Sequence, residues 1–166
     1  MKGQAVMFSA AKDEWATPQA LFDAMASEFA IGLDVAATRD NCKAPLGRYL
    51  GPDHRLESYR DALAVDWWAA SRAHLGGTVL WCNPPYSKCR DFIGKAAAEA
   101  KRGCTVVCLV YARTDTRWFH EHVYDATTNS YRPGVEVRFI KGRLKFGGAK
   151  AGAPAPSMLV IFRPVP

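Results

Sequence analysis

No uninterrupted apolar run in the 166 residues approaches the roughly 20 that a membrane-spanning helix needs. The start also lacks the apolar core of a secretory signal. A cytoplasmic protein is expected, with no membrane partner. The five cysteines, Cys42, Cys82, Cys89, Cys104 and Cys108, contain no Cys-x-x-Cys pair and are odd in number. That excludes a disulfide framework and a zinc knuckle, leaving reduced thiols in or near a core. His120 and His122 stand two apart, a poor spacing for two ligands on one helix face, and no acid–histidine signature accompanies them, so no metal is expected. Internal repeats are absent, and residues 1–166 read as a single domain with ample length for a sizeable core.

An acidic excess is missing too: 22 Lys and Arg against 16 Asp and Glu give a formal net charge of +6. Such a surface attracts polyanions at long range without identifying one.

The most informative stretch is Asn83-Pro84-Pro85-Tyr86, which ends the apolar run Thr78-Val79-Leu80-Trp81-Cys82. The run reads as a short buried strand after Gly76-Gly77, so the tetrapeptide is a loop at a strand's carboxyl end. Consecutive prolines fix φ twice and remove two backbone donors. The side-chain oxygen of Asn83 and the carbonyl of Pro84 can then accept from one exocyclic NH2 group, and the ring of Tyr86 offers a flat face to a planar heterocycle. An ordinary Asn-Pro turn is the competing reading.

These residues resemble the Asp/Asn/Ser-Pro-Pro-Tyr/Phe/Trp motif of the amino-methyltransferases, and more narrowly the small phage-type DNA N6-adenine methyltransferases. Further segments carry the same resemblance. Asp13-Glu14-Trp15-Ala16-Thr17-Pro18 matches the Asp-Glu-Trp-x-Thr-Pro signature that stands for the S-adenosylmethionine-binding motif before the first strand. Ala112-Arg113-Thr114-Asp115-Thr116, followed by Trp118-Phe119, and Gly142-Arg143-Leu144-Lys145-Phe146 are also similar to family segments. The resemblance implies S-adenosylmethionine as cofactor, a flipped adenine in double-stranded DNA as substrate, and Asn83, Pro84, Pro85 and Tyr86 as the catalytic residues. Trp15, Thr17 and Pro18 would hold the cofactor's methionine end. Cytosine-N4 and RNA-adenine methylation use the same motif, and a non-catalytic DNA-binding protein on the same fold is a further alternative.

The remaining chain supplies elements and candidates. Thr17 and Pro18 look like the N-cap and first position of a helix to about Phe29, with Leu21, Phe22, Met25 and Phe29 on one face. Ile31–Val35 reads as a strand ending at Asp34, an acid placed to accept from an ammonium group at a sheet's carboxyl edge. Ala36-Ala37 follows where most methyltransferases have a glycine-rich loop, and Ala36 joins Asp34 as a cofactor candidate. Arg48–Leu50 is a possible strand before the Gly51-Pro52-Asp53 turn, and Leu63–Asp66 another. Asp53 and Asp66 are candidates for binding the cofactor's ribose or adenine, Asp66 the stronger. A helix from about Arg90 to Arg102 closed by Gly103, a central strand Thr105–Tyr111 and a short helix around Trp118–Val123 come next. Residues 125–134 read as a polar loop, and Val135–Ile140 as a half-exposed strand. Lys141–Phe146 reads as a basic strand edge, residues 147–156 as a mobile or site-bordering segment, and Ser157–Phe162 as a last apolar strand.

Alternating strands and helices give an α/β protein. The resemblance makes it a Rossmann-like S-adenosylmethionine-dependent methyltransferase fold, mostly parallel, with a C-terminal antiparallel hairpin. It puts Asp34, Asn83 and Arg113 along one carboxyl edge. Lys88, Arg90, Arg113, Lys141, Arg143, Lys145 and Lys150 are candidate DNA contacts, which would position the duplex without reading its sequence.

Overall fold

The structure, a computed structural model, describes residues 16–73, 77–148 and 151–165. The entry segment with Asp13, Glu14 and Trp15, and also Lys150, lie outside the described residues.

In chain order the elements are α1 (Gln19–Glu28), β1 (Leu33–Asp34), α2 (Trp67–Ala73), β2 (Val79–Cys82), α3 (Cys89–Lys101), β3 (Thr105–Tyr111), α4 (Arg117–His122), β4 (Tyr124–Asp125), β5 (Ser130–Tyr131), β6 (Val135–Phe139) and β7 (Ser157–Phe162). Five strands form one mixed sheet in the order β1-β2-β3-β7-β6. β1, β2 and β3 pair in parallel, while β7 pairs antiparallel with both β3 and β6. The carboxyl ends of β1, β2 and β3 therefore share one edge, where open α/β sheets leave a crevice.

Strand β3 shows why the sheet is buried on both sides. Val106, Cys108 and Val110 face one core with Ile93, Phe92, Trp67, Trp118 and Phe119 from α2, α3 and α4. Val107 and Leu109 alternate to the other core, with Phe22 of α1 and Phe146 of the β6–β7 connection. Continuous apolarity is what two covered faces require. Each such side chain contributes about 1.5–3 kcal/mol through burial, so both helical layers are held to the sheet by many comparable increments.

Several local expectations change. Arg48–Leu50 contributes only an isolated parallel bridge, Tyr49 with Asp34, because the next backbone bond, from the Ala37 N–H to the Leu50 carbonyl (3.1 Å), falls one residue out of the ladder's register. Leu63–Asp66 is a turn rather than a strand, and it leads into α2, which local patterning did not anticipate. Thr17 is not the cap of α1: the helix starts at Gln19, Pro18 holds the cap position, and no side chain caps it. Residues 125–134 contain the small β4–β5 ribbon. Lys141–Phe146 forms no strand, since Gly142 at φ +80° turns the chain out of the ladder. The antiparallel partners β6 and β7 are thus joined by a long connection that folds back over the α1 face, not by a tight turn.

Candidate active site

A cavity of about 420 Å³ opens at the carboxyl ends of β1 and β2. Five segments wall it: Ala16–Thr17 ahead of α1, the loop after β1 from Asp34 to Asn41, the stretches Leu50–Pro52 and Arg60–Leu63, and the loop after β2. The last of these contributes Asn83, Pro85, Ser87 and Lys88, with Phe92 of α3 behind them.

Asp34 is the hub of the β1 loop. It is 3% exposed, and its carboxylate accepts from the backbone N–H groups of Ala36 (3.3 Å) and Lys43 (3.1 Å). Burial pushes its carboxyl up to about 7, with the Lys43 and Ala36 N–H groups opposing that rise. Asn41 Oδ1 accepts from the Thr38 N–H (2.6 Å), and Asp53 accepts from the Arg39 N–H (3.0 and 3.2 Å). Side-chain acceptors therefore shape a loop that glycines shape elsewhere. The demand for glycine has moved across the cavity to Gly51, where a Cβ would lie 1.7 Å from the Ala37 carbonyl oxygen.

The loop after β2 is held from both sides. Asn83 donates from Nδ2 to Thr17 Oγ1 (3.2 Å), which ties the Asn-Pro-Pro-Tyr segment to the chain entering α1. Pro84 is buried beneath the loop, and Pro85 accepts from the Lys88 N–H (3.0 Å), closing a short 3-10 turn over Tyr86–Lys88. The Tyr86 ring stacks on Tyr111, the last residue of β3, with centroids 4.0 Å apart and planes 12° apart. Burial pushes the Tyr111 phenol up, against a hydrogen bond with Tyr86.

Of the residues predicted from sequence, Thr17, Asp34, Ala36, Asn83, Pro85 and Lys88 converge on the cavity. Pro18, Pro84 and Tyr86 adjoin it in the chain without entering its lining. Asp66 stands elsewhere: its Oδ1 accepts from the Ala69 N–H (2.9 Å) at the start of α2 and its Oδ2 pairs with Arg102 (2.7 Å). That guanidinium holds its carboxyl below the usual range. The acid that the fold brings to the cavity is Asp61, five residues earlier. It comes with Ala62, whose carbonyl accepts from the Trp67 indole (2.7 Å). Gly51, Asp61 and Tyr111 are the residues that the sequence reading did not single out. Only Gly51, in its Gly-Pro-Asp turn, left a local signal.

The basic candidates divide. Lys141 and Lys145 are exposed. Arg90 lines a separate open groove of about 550 Å³ between α3 and α4. Arg113 follows β3 at the same sheet edge and pairs with Asp115 (3.3 Å). Arg143 is committed internally, donating to the carbonyls of Ala153 (3.0 Å) and Pro154. The thiols of Cys42 and Cys89 are pushed up to about 12 by burial, so neither is a thiolate at neutral pH. Among the described residues, no group of three or more His, Cys, Asp or Glu side chains could hold a metal ion, and no helix is long and apolar enough to cross a membrane.

An α/β sheet whose second strand delivers Asn-Pro-Pro-Tyr to the rim of a cavity is compatible with the methyltransferases of amino groups. The comparisons narrow this. The pattern of the DNA N-6-adenine-methyltransferase (Dam) family matches residues 4–166, so the chain belongs to that family. It is 30% identical over 156 residues to the DNA N-6-adenine-methyltransferase of Haemophilus phage HP1 (strain HP1c1), covering 92% of this chain and 80% of the relative. With the DNA N-6-adenine-methyltransferase of Escherichia phage T1 the identity is 25% over 171 residues, covering 93% of this chain and 64% of that protein.

Proposed function

We propose that the chain is an S-adenosylmethionine-dependent, adenine-specific DNA methyltransferase that acts as one domain on a flipped adenine in double-stranded DNA. The observation that carries this reading is Asn83, set at the margin of a cavity of nucleoside size by a stiff Pro-Pro loop. At about 420 Å³ the cavity falls within the range that holds compact organic ligands.

The residues present fit the cofactor. Asp34 is an acceptor for its ammonium group and Asp61 for its ribose hydroxyls, replacing Asp66 in that role. Thr17 stands on the methionine side, Ala36 and Gly51 border the cavity closely, and Leu50, Ala62 and Phe92 supply apolar cover for the purine. Pro18, next to Thr17 in the chain, would extend the methionine side. When bound, S-adenosylmethionine supplies an electrophilic methyl group. The sheet would serve as the Rossmann-like scaffold of that family, with the β6–β7 pair as its antiparallel end.

The chain's own residues handle the base. A stacked adenine cannot expose its exocyclic nitrogen, so the nucleotide must leave the helix. Tyr86 replaces lost stacking, worth ~1–3 kcal/mol for a base on an aromatic ring. Tyr111, stacked on the Tyr86 ring, keeps it from tilting. Asn83 Oδ1 and the Pro84 carbonyl accept from the two amine hydrogens, aim the nitrogen lone pair, and stabilise positive charge as it develops there. Lys88, Arg90, Arg113, Lys141 and Lys145 are left to meet phosphates.

The test is direct. Purified protein is incubated with labelled S-adenosylmethionine and unmethylated DNA, and the product is digested to nucleosides. Label should appear as N6-methyladenosine in its deoxy form, and Asn83→Ala should lower its yield at least about 100-fold, as removal of a preorganised polar group does. DNA binding should be retained. Label on N4-methylcytosine, or on the protein alone, overturns the substrate assignment.

A further inference from the structure

Strand β6 is the outer strand of the sheet and pairs with β7 on one side only. Which of its backbone groups face outward follows from the bonds at its two ends. The Arg163 N–H donates to the Gly134 carbonyl (2.8 Å) and the Ile140 N–H to the Ser157 carbonyl (3.1 Å), both in the register of the pairs between them. Bonded and non-bonded pairs alternate in an antiparallel ladder, so Glu136 and Arg138 also bond to β7, while the backbone groups of Val135, Val137 and Phe139 point away from it. The Val135 N–H is taken by the Arg132 carbonyl (3.0 Å). Among the described residues, no backbone group meets the Val135 carbonyl, the Phe139 N–H or either group of Val137.

Such an edge invites another strand, and proline and lysine are common deterrents. Val-Glu-Val-Arg-Phe has neither, and its two charges are opposite in sign. Laid antiparallel on a second copy with Val137 at a two-fold axis, Glu136 falls opposite Arg138 of that copy, and Arg138 opposite its Glu136. Moving the axis by one residue sets Arg138 against Arg138 or Glu136 against Glu136, and like charges directly opposite are destabilising. Within the chain Glu136 already pairs with Arg138 and Arg163, and Arg138 with Glu28, so the same ion network runs on across the axis. The backbone agrees with this register. The N–H and carbonyl of Val137 exchange bonds with their own equivalents, and the Phe139 N–H meets the carbonyl of Val135, the group there that is not already spent.

The apolar side chains agree as well. Phe139 is 63% exposed, and in this register it lies opposite Val135, which packs with Val137 at the margin of the helix-covered core. Of the five large apolar side chains exposed among the described residues, Tyr131 and Val165 also flank this strand, Tyr131 in β5 just before it and Val165 beside Gly134. We infer that β6 is a self-association edge, through which two copies of this chain pair about a two-fold axis and form one sheet continuous across both. The cavity sits at the far end of the sheet, against β1 and β2, so each copy keeps it open.

Sedimentation velocity of the full chain over a concentration series should show a monomer–dimer equilibrium. Val137→Pro removes an outward N–H and no bond to β7, a change that an edge strand accepts. It should raise the dissociation constant at least about 10-fold, because both copies lose the bond. Cysteine cross-linking tests the register separately. In a bonded pair on the axis the Cα atoms stand about 5.5 Å apart, within reach of a disulfide. Val137→Cys should therefore give a disulfide-linked dimer under mild oxidation, whereas Phe139→Cys, displaced from the axis, should cross-link no more than the unaltered protein does. A chain that stays monomeric at every concentration overturns the proposal, as does a dimer whose dissociation constant Val137→Pro leaves unchanged, or cross-linking of Phe139→Cys equal to that of Val137→Cys. If Val137→Pro does not fold, the two cysteine variants decide alone.

Discussion

The Asp34 carboxylate is buried, with two backbone donors for its four lone-pair positions. Its carboxyl lies near 7 when folded, against about 4 for an unfolded chain. Between those values the folded protein holds the extra proton, so this residue's contribution to stability is fully present below about pH 4 and declines as pH rises to about 7. An ammonium group beside it reverses the preference. Binding of S-adenosylmethionine near pH 6.5 should therefore release a fraction of a proton, seen as a binding enthalpy that differs between phosphate and Tris buffers, and affinity should rise toward pH 8. Asp34→Asn should abolish both effects; a buffer-independent enthalpy for the unaltered protein would count against Asp34 as the ammonium acceptor. The Cys42 thiol beside it, pushed up to about 12 by burial, does not titrate in this window. Asp34 was legible in the sequence because a short apolar strand ends on it. Asp61 was not, because its place at the cavity depends on the Trp67 indole gripping the neighbouring Ala62 carbonyl, a contact that local spacing does not encode.

Helix α2 shows how an element can escape a sequence reading. Its exposed amide ends are received by a side chain from another helix: Glu99 of α3 accepts from the N–H groups of Trp67 (3.3 Å) and Trp68 (3.2 Å). The same carboxylate, 3% exposed, pairs with Lys95 (3.3 Å) and Arg102 (3.2 Å). Asp66, the nearest acid in sequence, caps only one further amide. Replacing Glu99 by Ala leaves two amides and a partly covered cation pair short of an acceptor, and should cost about 2–4 kcal/mol. Urea unfolding measures this, with Glu99→Gln expected to recover part of the loss; a change under about 0.5 kcal/mol would mean that α2 is capped by other groups. By contrast, the bounds of β3 and β7 were readable to the residue, since a strand covered on both faces writes its whole length in apolar side chains.

At the scale of the molecule, the net charge of +6 and the exposed lysines beside the sheet edge should give DNA binding a steep salt dependence. Lys141→Ala and Lys145→Ala should each reduce the slope of log K against log salt by about 1, as the loss of one phosphate contact does. Arg143→Ala should leave that slope alone and lower the thermal midpoint, because its guanidinium binds two carbonyls of its own chain. A slope reduced by Arg143→Ala as much as by the lysines would return it to the DNA surface. Sequence could not separate these three cations: they sit within five positions in one basic run, and only the carbonyls of Ala153 and Pro154, brought beside Arg143 by the fold, engage one of them. The same limit holds for strand order, which no periodicity encodes and which the resemblance alone had supplied.

The placement of β7 carries one more consequence. Ser157–Phe162 lies between β3 and β6, buried along its whole length, although it follows both in the chain. Until Phe162 has left the ribosome, β3 and β6 both present raw edges, and the connection that carries Phe146 lacks the part of its apolar bed supplied by Leu159 and Ile161. The residues that line the cavity all precede β3, but a nascent chain arrested before β7 would carry β3 as an open edge and so be a sticky fragment.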